Sequence, residues 1–245
     1  MNMINTNDHS PLYVQLSTIL KGKIVSGEYA PGSFLPTEND LSASFGVSRV
    51  TVRNALDLLE KQNLVVKKKG SGTYIKPPLI DQPLNTVVYF DQDMLRLGKK
   101  AETTMLRNVL VTSDPYISEA LGIPENTKMN CIVRLRFADG GPLCMEMAYL
   151  IHDKCPGVLN MDFSKNSLRK YLESEYDIRW NTASQRIYAI SASPEIAPLL
   201  NLKRGDPILY IERVSYDQHN APLEYLMAYY RGDSYSLTTT LNYNH

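Results

Sequence analysis

The sequence predicts an α/β protein of the α+β kind in two parts. Residues 1–76 form a three-helix module ending in a hairpin, residues 77–84 a linker, and residues 85–245 a larger, mainly antiparallel-sheet domain. Three observations predict this. Residues 10–61 place apolar side chains at helical spacing, bounded by Ser, Thr, Pro and Gly where helices start and stop. Pro77, Pro78 and Pro83 then make a stiff, extended stretch. Beyond it the chain repeats itself: Pro142-Leu143 and Met147-Ala148-Tyr149 recur as Pro222-Leu223 and Met227-Ala228-Tyr229, at a constant offset of 80 residues.

In the first part, Ser10 supplies an N-cap oxygen and Pro11 suits the first helical position. Leu12, Leu16, Ile19, Leu20 and Ile24 follow as one apolar stripe, and Gly27 with Ala30-Pro31-Gly32 ends it. Leu35-Pro36 leads into a second helix capped by Thr37, with Asp40 at capping-box distance. Gly46-Val47 turns the chain. Ser48 caps a third helix whose inner face uses Val52, Ala55, Leu56 and Leu59. Leu64-Val65-Val66 and Thr73-Tyr74-Ile75 make a hairpin around Gly70-Ser71-Gly72.

Charge then suggests a partner. The chain carries 26 basic and 26 acidic side chains, yet residues 1–76 hold nine Lys/Arg against six Asp/Glu, a net of +3. Taken alone, Lys67-Lys68-Lys69 reads more often as a solvated face than as a contact. Combined with Arg49, Thr51, Arg53 and Asn54 on the outer, N-terminal end of the third helix, it reads as a DNA footprint. Arg forks onto guanine or clamps phosphate, Thr offers a hydroxyl and a methyl, and a glycine tip lets Lys68, Lys69 and the backbone of Gly70, Ser71 and Gly72 approach a sugar-phosphate edge.

These residues resemble the winged helix-turn-helix of the GntR family of bacterial transcription regulators. Pro11-Leu12-Tyr13 with Gln15-Leu16, Gly27, Pro31-Gly32, Leu35-Pro36-Thr37-Glu38, Val47-Ser48-Arg49-Val50-Thr51-Val52-Arg53 and Gly70-Ser71-Gly72-Thr73-Tyr74 carry the likeness. It implies that Pro36, Thr37, Glu38, Asn39 and Ser48 join the DNA-facing set. Members commonly carry Arg where this chain has Asn39; Asn favours adenine over guanine as a bidentate partner, so a half-site altered at that base is expected.

In the second part, the segments 113–149 and 193–229 each read as a short helix, a strand, a turn and a second strand, with an alternating strand before each helix at Val109–Thr112 and Ile187–Ser191. Two such units sharing one sheet give the α+β prediction. Alternation in Cys131–Ala138 puts Ile132, Arg134 and Arg136 on one face and Val133, Leu135 and Phe137 on the other. Glu146 lies on the hairpin partner, and Glu224 shares a face with Tyr230 on the last strand. Two arginines two apart either clamp an anion or line a solvent face beside neighbouring acids.

Residues 85–241 resemble the effector-binding UTRA domain of the HutC-type branch, whose fold is similar to chorismate lyase. Arg134-Leu135-Arg136 with Asp139-Gly140, Glu146, Leu168 with Tyr171-Leu172, Gly205-Asp206-Pro207, Ile211-Glu212-Arg213, Pro222-Leu223-Glu224-Tyr225 and Tyr230-Arg231-Gly232-Asp233 carry that likeness. It implies that Arg134, Arg136 and Ser167 hold a phosphate and that Glu146 and Tyr230 reach the rest of the ligand, with Tyr89, Phe90, Arg169 and Glu224 completing the pocket. Phosphate-binding relatives often use Ser beside Phe in the loop matching Tyr89-Phe90-Asp91. A carboxylate at Asp91 facing the site repels phosphate, whereas Arg169 attracts it.

Other classes lack their chemistry. No apolar run approaches the roughly 18–20 residues of a membrane span, and the N-terminus has no signal peptide's apolar core. Cys131, Cys144 and Cys155 lie far apart with no CxxC, so neither disulfide nor zinc site is expected, and no cofactor motif appears. There is no G-x-S-x-G, HExxH or P-loop, and His9, His152, His219 and His245 are scattered, the middle pair in loops, so an enzyme is not expected. The expectation is a cytoplasmic, homodimeric repressor that binds inverted-repeat operator DNA under control of a small anionic metabolite, a phosphorylated sugar or relative.

Overall fold

The computed structural model describes residues 4, 10–77 and 79–243; Pro78, His9 and His245 lie outside them. The chain divides into two compact units, Met1–Leu79 and Ile80–His245.

The first unit holds α1 (Leu12–Val25), α2 (Glu38–Phe45), α3 (Arg49–Lys61), and the hairpin β1 (Val65–Lys68) and β2 (Gly72–Ile75). Leu16, Leu20, Leu41, Val52, Leu56, Leu59, Val65 and Ile75 close a single core between them. Helix α1 begins one residue later than expected: Pro11 is its cap, and its carbonyl accepts from the Val14 and Gln15 amides. The other caps follow the sequence. Thr37 Oγ1 accepts from Asp40 N while Asp40 accepts from Thr37 N, a complete capping box. Ser48 Oγ accepts from Thr51 N at 3.1 Å. Gly46 takes a left-handed φ of 65°, which lets α2 stop and α3 turn away. Ser48→Ala is expected to lower stability by about 1 kcal/mol, read as a lower urea midpoint of the helical circular-dichroism transition.

In the second unit the strands β4 (Ala101–Thr112), β5 (Lys128–Ala138), β6 (Gly141–Ile151), β7 (Trp180–Ser191), β8 (Pro207–Asp217) and β9 (Pro222–Arg231) form one antiparallel sheet in the order β4-β5-β6-β9-β8-β7. Helices α4 (Phe90–Arg96) and α6 (Leu168–Tyr176) cover one face, where Phe90, Met94, Leu168 and Leu172 pack on Ile132, Ala148, Ile211 and Ala228. Helices α5 (Pro115–Leu121) and α7 (Ile196–Leu199) cover the other, through Ile117 and Leu121 on Met129 and Tyr225, and Ala197 with the C-cap residue Leu200 on Leu135 and Met145.

Three expectations are corrected here. The linker is shorter than residues 77–84, because Ile80–Pro83 is a strand, β3, paired in parallel with β10 (Tyr235–Thr238). Strand β9, expected last, lies at the centre of the sheet and is followed by β10. Phe90 and Asp91, expected in a loop, open α4, with Tyr89 at its cap; burial of Phe90 and Met94 one turn apart fixes that helix.

The repeat is built into the sheet. Its strand order is a palindrome, and at its centre Met147 of β6 pairs with Met227 of β9, residues 80 apart. A local two-fold axis through that pair exchanges the halves, taking β4, α5, β5 and β6 onto β7, α7, β8 and β9. Even the irregularities correspond: β5 slips register between Arg136 and Phe137, and β8 between Ser215 and Tyr216.

Candidate functional site: nucleic-acid interface and anion cavity

In the first unit, the capped start of α3 and the tip of the β1–β2 hairpin carry the expected DNA-facing residues. Arg49, Arg53, Asn54 and Asn39 are exposed, as are Lys68, Lys69, Gly70, Ser71 and Gly72. Thr37 and Ser48 are exposed but their hydroxyls serve the caps, and Ser48 also meets the Thr51 hydroxyl at 2.9 Å. Pro36, Glu38 and Thr51 are half-buried. Helix α2 is tied to α3 by Arg53, which donates to Glu38 at 3.1 Å. Lys67 is held by Asp57, and its amide donates to Glu60. Lys68 instead lies over the Tyr74 ring at 3.7 Å, with Phe34 beside it, which orients its ammonium at the hairpin edge. Gly70 and Gly72 have φ of 78° and 111°, values the hairpin tip needs and that side chains resist.

Sequence reasoning missed Val50, 66% exposed on the outer side of α3 between Arg49 and Thr51. Its methyls suit a thymine methyl in a major groove. The clue was present: an apolar residue out of step with the buried positions Val52, Ala55, Leu56 and Leu59.

In the second unit, the α4/α6 face of the sheet sinks into a cavity of about 60 Å3. All nine residues expected around an effector line it: Tyr89, Phe90, Arg134, Arg136, Glu146, Ser167, Arg169, Glu224 and Tyr230. Asp91 lines it as well, so carboxylate and Arg169 both face the site. Strand alternation brings Arg134, Arg136, Glu146 and Glu224 to the same face, and α4 and α6 wall it from above. Ser167 stands at the N-terminal end of α6.

Internal ion pairs neutralise much of the cavity. Arg134 Nη2 and Arg136 Nε both donate to Glu146 Oε2, at 2.9 and 2.8 Å, and Arg136 also donates to Thr103 and stacks over Phe90 at 4.7 Å. Arg169 donates to Glu224 at 2.7 Å and stacks over Trp180 at 4.2 Å, while Ser215 donates to the same carboxylate. Tyr230 stacks on Tyr235 with ring centres 4.0 Å apart. Arg134 Nε is buried with no partner. Burial, then the neighbouring Arg136 charge, brings Arg134 down to about 10, still a cation at neutral pH. For Glu146 burial alone would raise the pKa, but Arg136 and Arg134 outweigh it and hold the carboxyl at about 2.

That depression predicts an acid response. Glu146 contributes stability that is complete above the ordinary 4.5 and is lost as pH falls toward about 2. Urea unfolding followed through Trp180, the single tryptophan, should show its midpoint dropping across this window. In Glu146→Gln the drop should be shallower, from a lower starting stability.

Sequence reasoning also missed Arg213, which lines the same cavity and donates to Gln185 at 2.9 and 3.1 Å. Its place follows from the two-fold: Val133 pairs with Met147 as Glu212 pairs with Met227, so Ile132-Val133-Arg134 superposes on Ile211-Glu212-Arg213. His152 and His219 stay outside the cavity. His152 Nδ1 is 2.7 Å from Asn130 Oδ1 in a 3-10 turn, and His219 sits in the β8–β9 connection.

A helix-turn-helix with a glycine-tipped wing, followed by a duplicated sheet that closes an arginine-lined cavity, is the architecture of a DNA-binding transcription regulator. Comparison with known proteins agrees. The UTRA domain matches residues 96–236, and the bacterial regulatory proteins of the gntR family match residues 12–75. The chain belongs to the GntR family, in its HutC-type branch with a UTRA domain; these are regulators and not enzymes.

The HTH-type transcriptional repressor NagR of Bacillus subtilis (strain 168) is 30% identical over 233 residues, covering 95% of this chain and 96% of that protein. The HTH-type transcriptional regulator GgaR of Escherichia coli (strain K12) is 30% identical over 232 residues, covering 93% and 90%. The crystal structure of PhnF from Mycobacterium smegmatis shares the fold, with a TM-score of 0.67, 24% identity and coverage of 95% and 99%. Among the described residues no helix is long and apolar enough to cross a membrane.

Proposed function

We propose that this regulator is a repressor that binds an inverted-repeat operator as a cytoplasmic homodimer, and that a phosphorylated sugar or similar small anion in the second unit controls that binding. The observation that carries the reading is the convergence of Arg134, Arg136, Arg169 and Arg213 on one small cavity. Guanidinium forks match the oxygens of a phosphate, and an entering anion exchanges with Glu146 and Glu224 for them. The relative named a repressor supports the sign of regulation. In the first unit, Arg49, Thr51, Arg53 and Asn54 reach base edges and phosphates, while Lys68, Lys69 and the Gly70-Ser71-Gly72 tip follow the backbone. A ligand that binds the DNA-competent and incompetent states differently shifts the balance between them.

The test is operator binding by the purified protein with and without a panel of sugar phosphates, organic acids and amino-acid derivatives. Selective DNA binding altered by a phosphorylated member is expected. Selective binding indifferent to every compound would leave a constitutive DNA binder instead. Selection from random DNA should also return a half-site changed at the base facing Asn39, which is exposed beside the α2 cap; an ordinary guanine-anchored half-site would remove that part of the reading.

A further inference from the structure

The arginine cavity opens beside a second and much larger chamber in the same unit. Its volume is about 580 Å3, against about 60 Å3 for the inner one. The two share Thr86, Tyr89, Arg169 and Gln185 as walls, so a single molecule can occupy both. We propose that the outer chamber receives two neutral sugar rings while the phosphate they carry enters the inner cavity, making the ligand a phosphorylated disaccharide and not a monosaccharide phosphate. The inference rests on the reading of the inner cavity as an anion site.

Size is the first argument. At roughly 10–15 Å3 per water, the inner cavity has room for about four to six waters, enough for a phosphate group and little beyond it. The outer chamber, at about 580 Å3, has room on the same scale for roughly 40–60 waters, more than a single hexose ring fills, and falls within the range of about 300–1,000 Å3 that small-molecule sites commonly occupy.

Chemistry is the second. The chamber's polar lining is amide and hydroxyl: Asn85, Thr86, Asn181, Thr182 and Gln185. Such groups both donate and accept, as sugar hydroxyls do. Arg169 is the one charged residue of this wall, and Glu224 at 2.7 Å already matches its charge. A second anion would therefore meet no unmatched cation, and a cationic group would face a guanidinium. Trp180 adds a buried Nε1–H without a partner, which a hydroxyl oxygen in the chamber would satisfy. Stacking against Arg169 at 4.2 Å holds that indole at the boundary between the two spaces.

Calorimetry on the full chain tests this with two matched pairs, glucose 6-phosphate against maltose 6′-phosphate and galactose 6-phosphate against lactose 6′-phosphate. In at least one pair the disaccharide phosphate should bind about 10-fold tighter or more, the size of a few added polar contacts. Thr182→Trp, at an exposed position of the chamber wall, should erase that gain while leaving the monosaccharide phosphate within about 2-fold; Asn85→Trp, also exposed, is the second filling variant should the first misfold. Equal or weaker binding of both disaccharide phosphates, where a monosaccharide phosphate binds, overturns the proposal. So does a gain that survives both filling variants. If no phosphate of either size binds while operator DNA is still bound, the anion reading of the inner cavity falls and takes this inference with it.

Discussion

Arg134→Ala is expected to weaken effector binding roughly 10- to 150-fold, the loss of one charge-assisted hydrogen-bond partner at about 1.5–3 kcal/mol. Operator affinity without effector should stay within about 2-fold, because Arg134 lies in the second unit, far along the chain from the DNA-facing residues. Glu146 keeps Arg136 at 2.8 Å in the variant, so the carboxylate is not left alone. Arg134→Lys should fall between, since an ammonium keeps the charge and loses the planar fork. Calorimetry for the effector and gel shifts for the operator separate the two readouts. A matching loss of DNA binding would make Arg134 a structural residue.

The opposite pattern is expected on α3. Arg49→Ala and Arg53→Ala should each weaken operator binding by about 5- to 150-fold, the range of one lost base contact at ~1–3 kcal/mol, with effector affinity unchanged. The two differ in one respect. Arg53 is paired with Glu38 at 3.1 Å, so its removal also leaves that carboxylate without its cation. Glu38→Gln is therefore expected to tighten binding to random DNA while narrowing the preference for the operator. Gel shifts on operator and random duplexes at several salt concentrations test this. An Arg that contacts phosphate alone should reduce the salt slope by about one and leave the preference untouched.

Much of the molecule was legible because its determinants are local. The Thr37–Asp40 capping box, the Ser48 cap and the left-handed Gly46 are settled within a few residues, so the sequence shows them directly. Alternation in β5 correctly put Arg134 and Arg136 together because the strand is regular as far as its bulge. Pairing between distant segments was not legible. Ile80–Pro83 looks like linker because it contains a proline and has no local partner; Tyr235–Thr238 supplies one from the far end of the chain. Arg213 was hidden by a difference in turn length. The paired Arg136 and Cys144 are eight residues apart across the first hairpin, but the equivalent Ser215 and Glu224 are nine apart, so the offset of 80 that aligns β6 with β9 becomes 79 between Arg134 and Arg213.

The local two-fold has a consequence for how a ligand is oriented. A cavity straddling such an axis with Arg134 on one side and Arg213 on the other would, if its halves were identical, accept a molecule equally well in either direction. The halves are not identical. Where one side has Arg136 and Glu146, the axis places Ser215 and Leu226 on the other. One end of the site thus carries Arg136 with Glu146 and the other Ser215 with Glu224 and Arg169, so the two ends offer different groups to an asymmetric molecule. Duplication supplied the frame of the site, and two unmatched pairs of residues give it a polarity.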